Sequence, residues 1–375
     1  MQNVEWGEYR LGDLFKIDNT WIYGKNKQWQ TRFKTLSNGR LPVISGITVN
    51  NGINYYTEDK PKNDEVFADS LTISTRGEYS GTVTYHSGEF VLANNILAMP
   101  MPKLNKKHKL FIGSIINNLN YGGYNNYPKI ETLKNDKIYL PTKNGKIDYD
   151  FMEKYITEQE EEIIDKLYTY LKVNKLYNYN LSDAEQKVLK EYDSIEFADY
   201  DITKIFDIRN TKNILSREIT ENSGNTPYLC ASTENNAVSS YISYDESKLD
   251  KGNCIFIGGK TFVVTYQEKD FYSNDSHNLV LYFKNHEATK LNQLYLVTCV
   301  NKSLSYKYSW GNSVSNAKIK SDLISLPTKN GKPDFETMEI FISAIQKLVI
   351  KNVVCYTQKK HKTKKMCKGD NQISS

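Results

Sequence analysis

The chain has 375 residues, which is more than one hydrophobic core usually serves, so its length favours two domains. Apolar residues make up 39% of it, and no run approaches the roughly 18 consecutive apolar residues of a membrane helix. The first residues, MQNVEWGEYRLGDLF, lack the pattern of a secretion signal, so the expected location is the cytoplasm, with no membrane partner. The net charge of +5 and the pI of about 8.6 permit nucleic-acid binding without requiring it.

Two residue types narrow the chemistry further. The five cysteines lie far apart, with no CxxC, and the five histidines are scattered, so no metal site is expected. Tyrosine is abundant, with 28 residues, and it often lies near asparagine. An AT-rich genome explains this composition as well as function does, although Tyr and Asn side chains also suit contacts to phosphates and base edges.

The first half of the chain has the pattern of a mixed α and β domain closed by a helix. Residues 8–20 form a strand-like opening segment, and SLTIST at 70–75 and GTVTY at 81–85 predict short strands. Apolar residues at helical spacing predict a helix over 110–119. Beyond a Gly-containing turn, Asp148 stands where an N-cap carboxylate would begin a long helix. A connector follows over 172–195, in which Ser182 and Glu185 predict a capped polar helix.

The second half of the chain repeats the first. The seven residues LPTKNGK at 140–146 recur at 326–332, 186 positions later, and the helix start at Asp148 recurs at Asp334. The opening segment recurs at 199–211, 191 positions after its first copy, and a strand at 278–283 and a helix at 290–300 follow. The middle parts resemble each other more loosely. A shared frame with different loops predicts two domains with different targets.

Both closing helices carry an apolar stripe at steps of three and four, which is typical of a coiled coil. If they pair antiparallel, helices of about 25 residues would span roughly 37 Å and hold the domains about one turn of B-DNA apart. The alternative is that each helix only covers its own domain, because such a stripe also suits ordinary packing. The residues expected at this partner-binding surface are Met152, Ile156, Ile163 and Leu167 in the first helix and Met338, Ile342, Ile345 and Val349 in the second.

The order domain, helix, domain, helix resembles that of the specificity subunits of type I restriction-modification systems and of related type IIB enzymes. The resemblance covers nearly the whole chain and rests on GDLFKI from Gly12, GTVTY from Gly81, and LPTKNGKIDYDFMEKYI from Leu140 with its copy from Leu326. It implies an α+β fold, a tandem repeat of two mixed α/β target-recognition domains, each followed by a long helix. The implied divisions are recognition domains at 1–147 and 191–333, a spacer helix with its connector at 148–190, and a second spacer helix with a basic tail at 334–375.

The resemblance also implies a function. In that family each recognition domain reads half of a split DNA site, and the helices form a spacer on which methyltransferase subunits dock. We therefore expect a non-catalytic subunit, without cofactor or metal, that binds double-stranded DNA and recruits two methyltransferase subunits. Restriction subunits are a further candidate partner.

The residues give little support for catalysis by this chain. None of the nine prolines is followed by another, so the Pro-Pro loop of an adenine methyltransferase is missing. GGKT at 258–261 resembles the end of a phosphate-binding loop, but the first glycine of that motif would fall on Cys254. The alternatives to a DNA-reading subunit are a self-contained nuclease, which would need carboxylates such as Asp245 and Glu246 to converge on one ion, and a coiled-coil adaptor without DNA affinity.

DNA-contacting residues are expected in the loops that differ between the halves. Arg and Lys suit guanine, Asn and Gln suit adenine, and glycine lets a loop approach a duplex closely. The candidates are Arg76, Tyr79, His86, Tyr124, Asn126 and Lys129 in the first domain and Lys260, Thr261, Gln267, Trp310, Asn312 and Lys318 in the second.

Overall fold

The computed structural model describes residues 4–15, 17–24, 29–123, 125–284 and 289–370. The chain divides into two compact units, Met1–Lys166 and Leu167–Ser375, which we call the first and the second domain.

The first domain contains a six-stranded sheet and a smaller three-stranded sheet. The strand order is β2-β7-β5-β6-β3-β4 in the larger sheet and β1-β8-β9 in the smaller one. The strands are β1 (Glu5–Arg10), β2 (Ile22–Tyr23), β3 (Leu41–Ile44), β4 (Ile53–Thr57), β5 (Val66–Ser74), β6 (Val83–Leu92), β7 (Ile96–Met99), β8 (Lys137–Lys143) and β9 (Lys146–Ile147). The predicted strands at 70–75 and 81–85 are confirmed as parts of β5 and β6, which pair antiparallel.

The described part of the first domain has five α-helices. They are α1 (Leu11–Phe15), α2 (Ile17–Thr20), α3 (Lys106–Asn117), α4 (Ile130–Asn135) and α5 (Tyr149–Val173), whose last residues fall in the second domain. The helix predicted over 110–119 is confirmed as α3, whose Phe111 and Ile112 pack on Leu71 and Ile73 of β5. The opening segment is only partly a strand, because β1 gives way to α1, which buries Leu11 in the core.

The closing helices begin in the same way in both domains. The Asp148 carboxylate accepts a hydrogen bond from the Phe151 amide at 2.9 Å, and the Asp334 carboxylate accepts one from the Thr337 amide at 3.0 Å, so both predicted N-caps are confirmed. The preceding Asn-Gly pairs adopt the same left-handed turn, with φ of 52° and 72° in each copy. Such a turn closes a two-residue hairpin, here between β8 and β9 and between its counterparts in the second domain.

The second domain repeats this topology with one interruption. Its strands are β10 (Phe197–Asp201), β11 (Phe206–Asn210), β12 (Thr226–Leu229), β13 (Val238–Ile242), β14 (Cys254–Ile257), β15 (Val264–Gln267), β16 (Tyr272–Ser273), β17 (Leu279–Phe283), β18 (Leu323–Lys329) and β19 (Lys332–Pro333). The sheet orders are β10-β18-β19, β11-β17-β14-β15 and β13-β12-β16. The last two correspond to the six-stranded sheet, because the counterpart of β6 is broken into β15 and β16. The strand predicted at 278–283 is confirmed as β17.

The helices of the second domain are α6 (Asp183–Glu191), α7 (Ile202–Ile205), α8 (Lys290–Leu304), α9 (Asn316–Ile319) and α10 (Phe335–Asp370). The predicted capping box is confirmed, since Ser182 accepts from the Glu185 amide and the Glu185 carboxylate accepts from the Ser182 amide. The helix predicted over 290–300 is confirmed as α8, which packs Tyr295, Leu296 and Val300 into the domain core.

Helix α6 is fixed to α10 by a buried ion pair. The Glu185 carboxylate accepts hydrogen bonds from the Lys347 ammonium at 2.8 Å and from the Ser343 hydroxyl at 2.6 Å. Burial opposes ionisation of Glu185, but these partners outweigh it and lower its pKa to about 2. The connector is thus attached to the second closing helix.

No helix within the described ranges combines the length and apolarity needed to cross a bilayer.

Candidate nucleic-acid interface

In the first domain, two loops with predicted DNA-contacting residues lie against each other. One is the hairpin loop of residues 75–80 between β5 and β6, and the other is the loop of residues 120–129 before α4. The Ser80 hydroxyl donates to the Gly123 carbonyl at 3.0 Å. A Cβ on Gly81, which has φ of +89°, would lie 2.6 Å from the Tyr121 side chain, so glycine is needed where the loops meet.

The joined loops of the first domain expose cationic and aromatic side chains. Arg76 and Lys129 are both exposed and line one open, polar cleft of about 820 Å³. Asn94, Asn95 and Tyr127 line the same cleft. Tyr79 lies in the hairpin loop and is 49% exposed. Such a surface can donate hydrogen bonds to phosphates and to guanine or adenine edges.

The second domain joins the corresponding loops in a different way. Its hairpin loop, residues 259–261, contacts the loop of residues 305–315 through the Val314 amide, which donates to the Gly259 carbonyl at 3.1 Å. Trp310 projects from the second loop with 76% of its surface exposed. Lys260, Thr261 and Asn312 are exposed on the two loops, and Lys318 is exposed on α9, which follows the second loop.

The two hairpin loops differ in length and charge. Six residues separate Ser74 from Gly81, whereas three separate Gly258 from Phe262, and both pairs are joined by the same kind of backbone hydrogen bond. Lys260 in the shorter loop lies 3.3 Å from the Asp275 carboxylate, which also accepts from His277 at 2.8 Å. Burial would raise the pKa of Asp275, but hydrogen bonds from His277 and Lys260 lower it.

The GGKT sequence at 258–261 connects strand β14 to strand β15. It therefore lacks the strand-to-helix context of a phosphate-binding loop.

A repeated tyrosine–aspartate pair holds the second loop in each domain. Tyr308 donates its hydroxyl to the Asp322 carboxylate at 2.5 Å, and Tyr121 donates to Asp136 in the same manner. Burial raises the pKa of both tyrosines, and the hydrogen-bonded aspartate raises it further. Sequence reasoning missed these pairs, although the spacings of 187 and 186 positions between the copies made them detectable.

Asn126 and Asn312 also hold these loops. The Asn312 amide donates to the Lys307 carbonyl at 2.8 Å, and Asn126 donates to the Asn120 carbonyl in the same position of its loop. Lys318 is tied to this turn as well, because its ammonium donates to Asn312 Oδ1 at 3.0 Å. Thr261 donates to the Ala231 carbonyl at 3.1 Å. Hydrogen bonds to other parts of the protein thus occupy these four side chains.

Two predicted DNA contacts are corrected by burial. His86 is 3% exposed, and its Nε2 is hydrogen-bonded to the Thr72 hydroxyl at 2.9 Å. Burial lowers the pKa of His86 to about 4. Gln267 is 4% exposed and donates to the Asn236 carbonyl and the Thr265 hydroxyl, both at 2.9 Å. Both side chains point into the domain interior from a strand, so neither is available at the surface. The predicted contact Tyr124 lies outside the described residues.

The stripe residues of the closing helices divide into two groups. The first group packs on the core of its own domain and consists of Met152, Ile156, Met338 and Ile342. At these positions each closing helix covers its own domain, which is the alternative to a coiled coil. Ile163 is 63% and Val349 73% exposed, while Leu167 and Ile345 are half-buried. The ring of Tyr168 near the end of α5 stacks on His361 of α10 at 4.0 Å. Pairing of the two helices along their length stays a prediction.

Two tandem domains that present equivalent pairs of loops, with different exposed cations and aromatics, are typical of a duplicated nucleic-acid recognition protein. The family model of the type I restriction modification DNA specificity domain matches residues 3–169 and 195–355. The chain therefore belongs to this family. It is a specificity subunit of a restriction-modification system, the non-catalytic component that carries DNA target recognition.

Relatives agree with this assignment along nearly the whole chain. The specificity subunit S.BcgI of the type II restriction enzyme BgcI from Heyndrickxia coagulans is 24% identical over 353 residues, which are 92% of this chain and 96% of that protein. The crystal structure of a type I S subunit from M. genitalium has a TM-score of 0.55 and 13% identity, and covers 99% of this chain and 96% of its own. This likeness shows that the two share a fold.

Proposed function

We propose that the chain reads a DNA target in two parts, one by each domain, and that methyltransferase subunits assemble on its closing helices. The observation that carries the first part is the pair of joined loops in each domain. Their frames are equivalent, but the hairpin loops have six and three residues, and Arg76 and Tyr79 stand in one where Lys260 and Thr261 stand in the other. Loops of different length and charge on one frame are expected to recognise different sequences.

Exposed apolar side chains on α10 support the recruitment of a partner. Leu348, Val349, Val353 and Tyr356 are 46%, 73%, 43% and 54% exposed, within three turns of one helix. A cluster of this kind on a helix surface is typical of a protein–protein contact. We propose that methyltransferase subunits bind here, that restriction subunits join the same assembly, and that it works in the cytoplasm, where cellular DNA is located.

The two-part recognition is tested by single substitutions in each loop set. Arg76→Ala is expected to relax only one half of the bound motif and to cost about 1 to 3 kcal/mol of binding free energy. Trp310→Ala should do the same at the other half. The measurement is the DNA motif selected by each variant in complex with its methyltransferase subunit.

The control is Lys146→Ala, which removes an exposed charge at the β8–β9 turn and should leave the motif unchanged. Relaxation of both halves by Arg76→Ala alone would contradict separate recognition by the two domains.

A further inference from the structure

An aromatic groove in the first domain is open, whereas its counterpart in the second domain is partly filled by a tyrosine. The open groove lies between β1, β8, α3 and α5, has a volume of about 500 Å³, and is lined by Trp6, Phe111, Ile115, Tyr139, Phe151 and Tyr155. Trp6 and Tyr139 are 51% and 57% exposed. All the residues that line it belong to the first domain.

The counterpart, which we call the filled groove, is built from equivalent positions. The equivalent residues are Phe197 at the position of Trp6, Tyr295 at that of Phe111, Cys299 at that of Ile115, Ser325 at that of Tyr139 and Phe341 at that of Tyr155. Tyr192 from the end of the connector is part of its lining, and the volume left is about 270 Å³.

Tyr192 makes specific contacts in the filled groove. Its ring stacks on Phe341 with centroids 4.2 Å apart, and its hydroxyl lies 3.0 Å from the Tyr295 hydroxyl. Helix α6, which ends just before Tyr192, is held on α10 by the Glu185–Lys347 ion pair. The filled groove therefore accepts an aromatic side chain that comes from the end of a short helix.

The same aromatic frame in the first domain is expected to accept the same kind of ligand. Phe111, Phe151 and Tyr155 already form edge-to-face contacts at 5.6 and 6.3 Å, and Trp6 stacks on Phe111 at 6.5 Å. Among the described residues, the lining of the open groove includes no side chain that takes the place of Tyr192.

Charge indicates how the ligand of the open groove differs from the connector. Residues 158–165 of α5 include five acidic side chains, whereas the equivalent residues 344–351 of α10 include two lysines and no acid. Lys154 and Lys166 form ion pairs with Glu158 and Glu162, and the segment 158–165 itself carries five acids and no base. A helix that docks on α5 is therefore expected to present basic side chains to it.

We propose that the open groove is the docking site for an aromatic side chain at the end of a helix of a methyltransferase subunit, with a basic residue on that helix facing α5. This rests on the proposed function, which supplies the partner, but it places a contact on the first recognition domain itself. Because Tyr192 fills the second groove, the contact is made on one domain only.

The proposal is tested by paired substitutions in the full chain, with the affinity for the methyltransferase subunit measured by calorimetry. Trp6→Ala, which removes part of the wall, and Asn118→Trp, which fills the open groove from its exposed rim, should each weaken association by roughly tenfold or more. The matched changes Phe197→Ala and Lys302→Trp, in the filled groove, should alter it by less than about twofold.

The outcomes separate this contact from folding and from the proposed function. Thermal unfolding of each variant controls for folding, and a loss with Trp6→Ala but none with Asn118→Trp would overturn the proposal. Equal affinities for all four variants would also overturn it, while leaving two-part DNA recognition intact. Concentration-dependent self-association that is abolished by Asn118→Trp would identify a second copy of this chain as the occupant and overturn it as well. A wild-type chain that associates with no methyltransferase subunit would refute both proposals.

Discussion

His86 illustrates what burial does to a residue that sequence alone places at a surface. Its imidazole is held in the first domain by Thr72 at 2.9 Å and by the Phe90 ring, with centroids 4.9 Å apart. The segment that covers it is distant in the sequence, since a Cβ on Gly52 would lie 3.5 Å from the imidazole. The pattern of β6 alone does not reveal a contact of this kind.

The buried imidazole makes stability of the first domain depend on pH. Burial lowers the pKa of His86 to about 4, from an ordinary value near 6.5, so the unfolded chain binds the extra proton between these values. The stabilisation is complete above about pH 6.5 and is lost as the pH falls towards 4. Wild type should therefore lose about 2 kcal/mol more free energy of unfolding between pH 7.5 and 5 than His86→Gln.

Urea unfolding followed by tryptophan fluorescence measures this difference, because Trp6, Trp21 and Trp29 all belong to the first domain. His277→Gln, which changes a histidine of the second domain, should leave the pH dependence of first-domain unfolding as in the wild type. If His86→Gln also keeps it, the buried neutral imidazole is not its source.

Other single residues were predictable because their roles are local. Asp148 and Asp334 act as N-caps within one helical turn, and Ser182 and Glu185 form a capping box, so neighbouring residues determine both roles. Gln267 was not predictable in this way, since its partner Asn236 is 31 residues distant.

At the scale of elements, the recognition loops are held by interactions that run back to the frame. Tyr121 and Tyr308 anchor the loops before α4 and α9 to Asp136 and Asp322, which immediately precede the strands β8 and β18. Repetition of the strands and closing helices in the sequence predicted this frame. The conformations of the loops were not predictable, because a six-residue and a three-residue hairpin form different turns on equivalent pairs of strands.

The tyrosine–aspartate pair is expected to position the loop that carries Trp310. Tyr308→Phe leaves the buried Asp322 without one donor, so the free energy of unfolding should fall by about 2 kcal/mol. DNA affinity should also fall, and the half of the motif read by the second domain should lose definition. Urea unfolding and motif selection measure the two effects.

Tyr306→Phe is the matched control, because Tyr306 is 85% exposed and lies two residues away. It should leave stability and motif unchanged. Indistinguishable behaviour of the two variants would show that the hydroxyl of Tyr308 does not position the loop.

At the scale of the whole molecule, duplication explains both the equivalence of the domains and their differences. The repeat in the sequence correctly predicted two α/β units, each closed by a helix, and membership of the specificity family is shown by the match to both units. The repeat did not predict the asymmetry of the aromatic grooves. That asymmetry depends on Tyr192, whose contact with Tyr295 joins residues 103 positions apart.

The central claim is that two unlike loop sets on equivalent frames read two different half-sites. Selection from random-sequence DNA by the chain in complex with its methyltransferase subunit tests this claim most directly. We predict a split motif with two different defined halves separated by a spacer of fixed length and unspecified sequence. A single continuous motif, or no sequence preference by a complex that binds DNA, would contradict it.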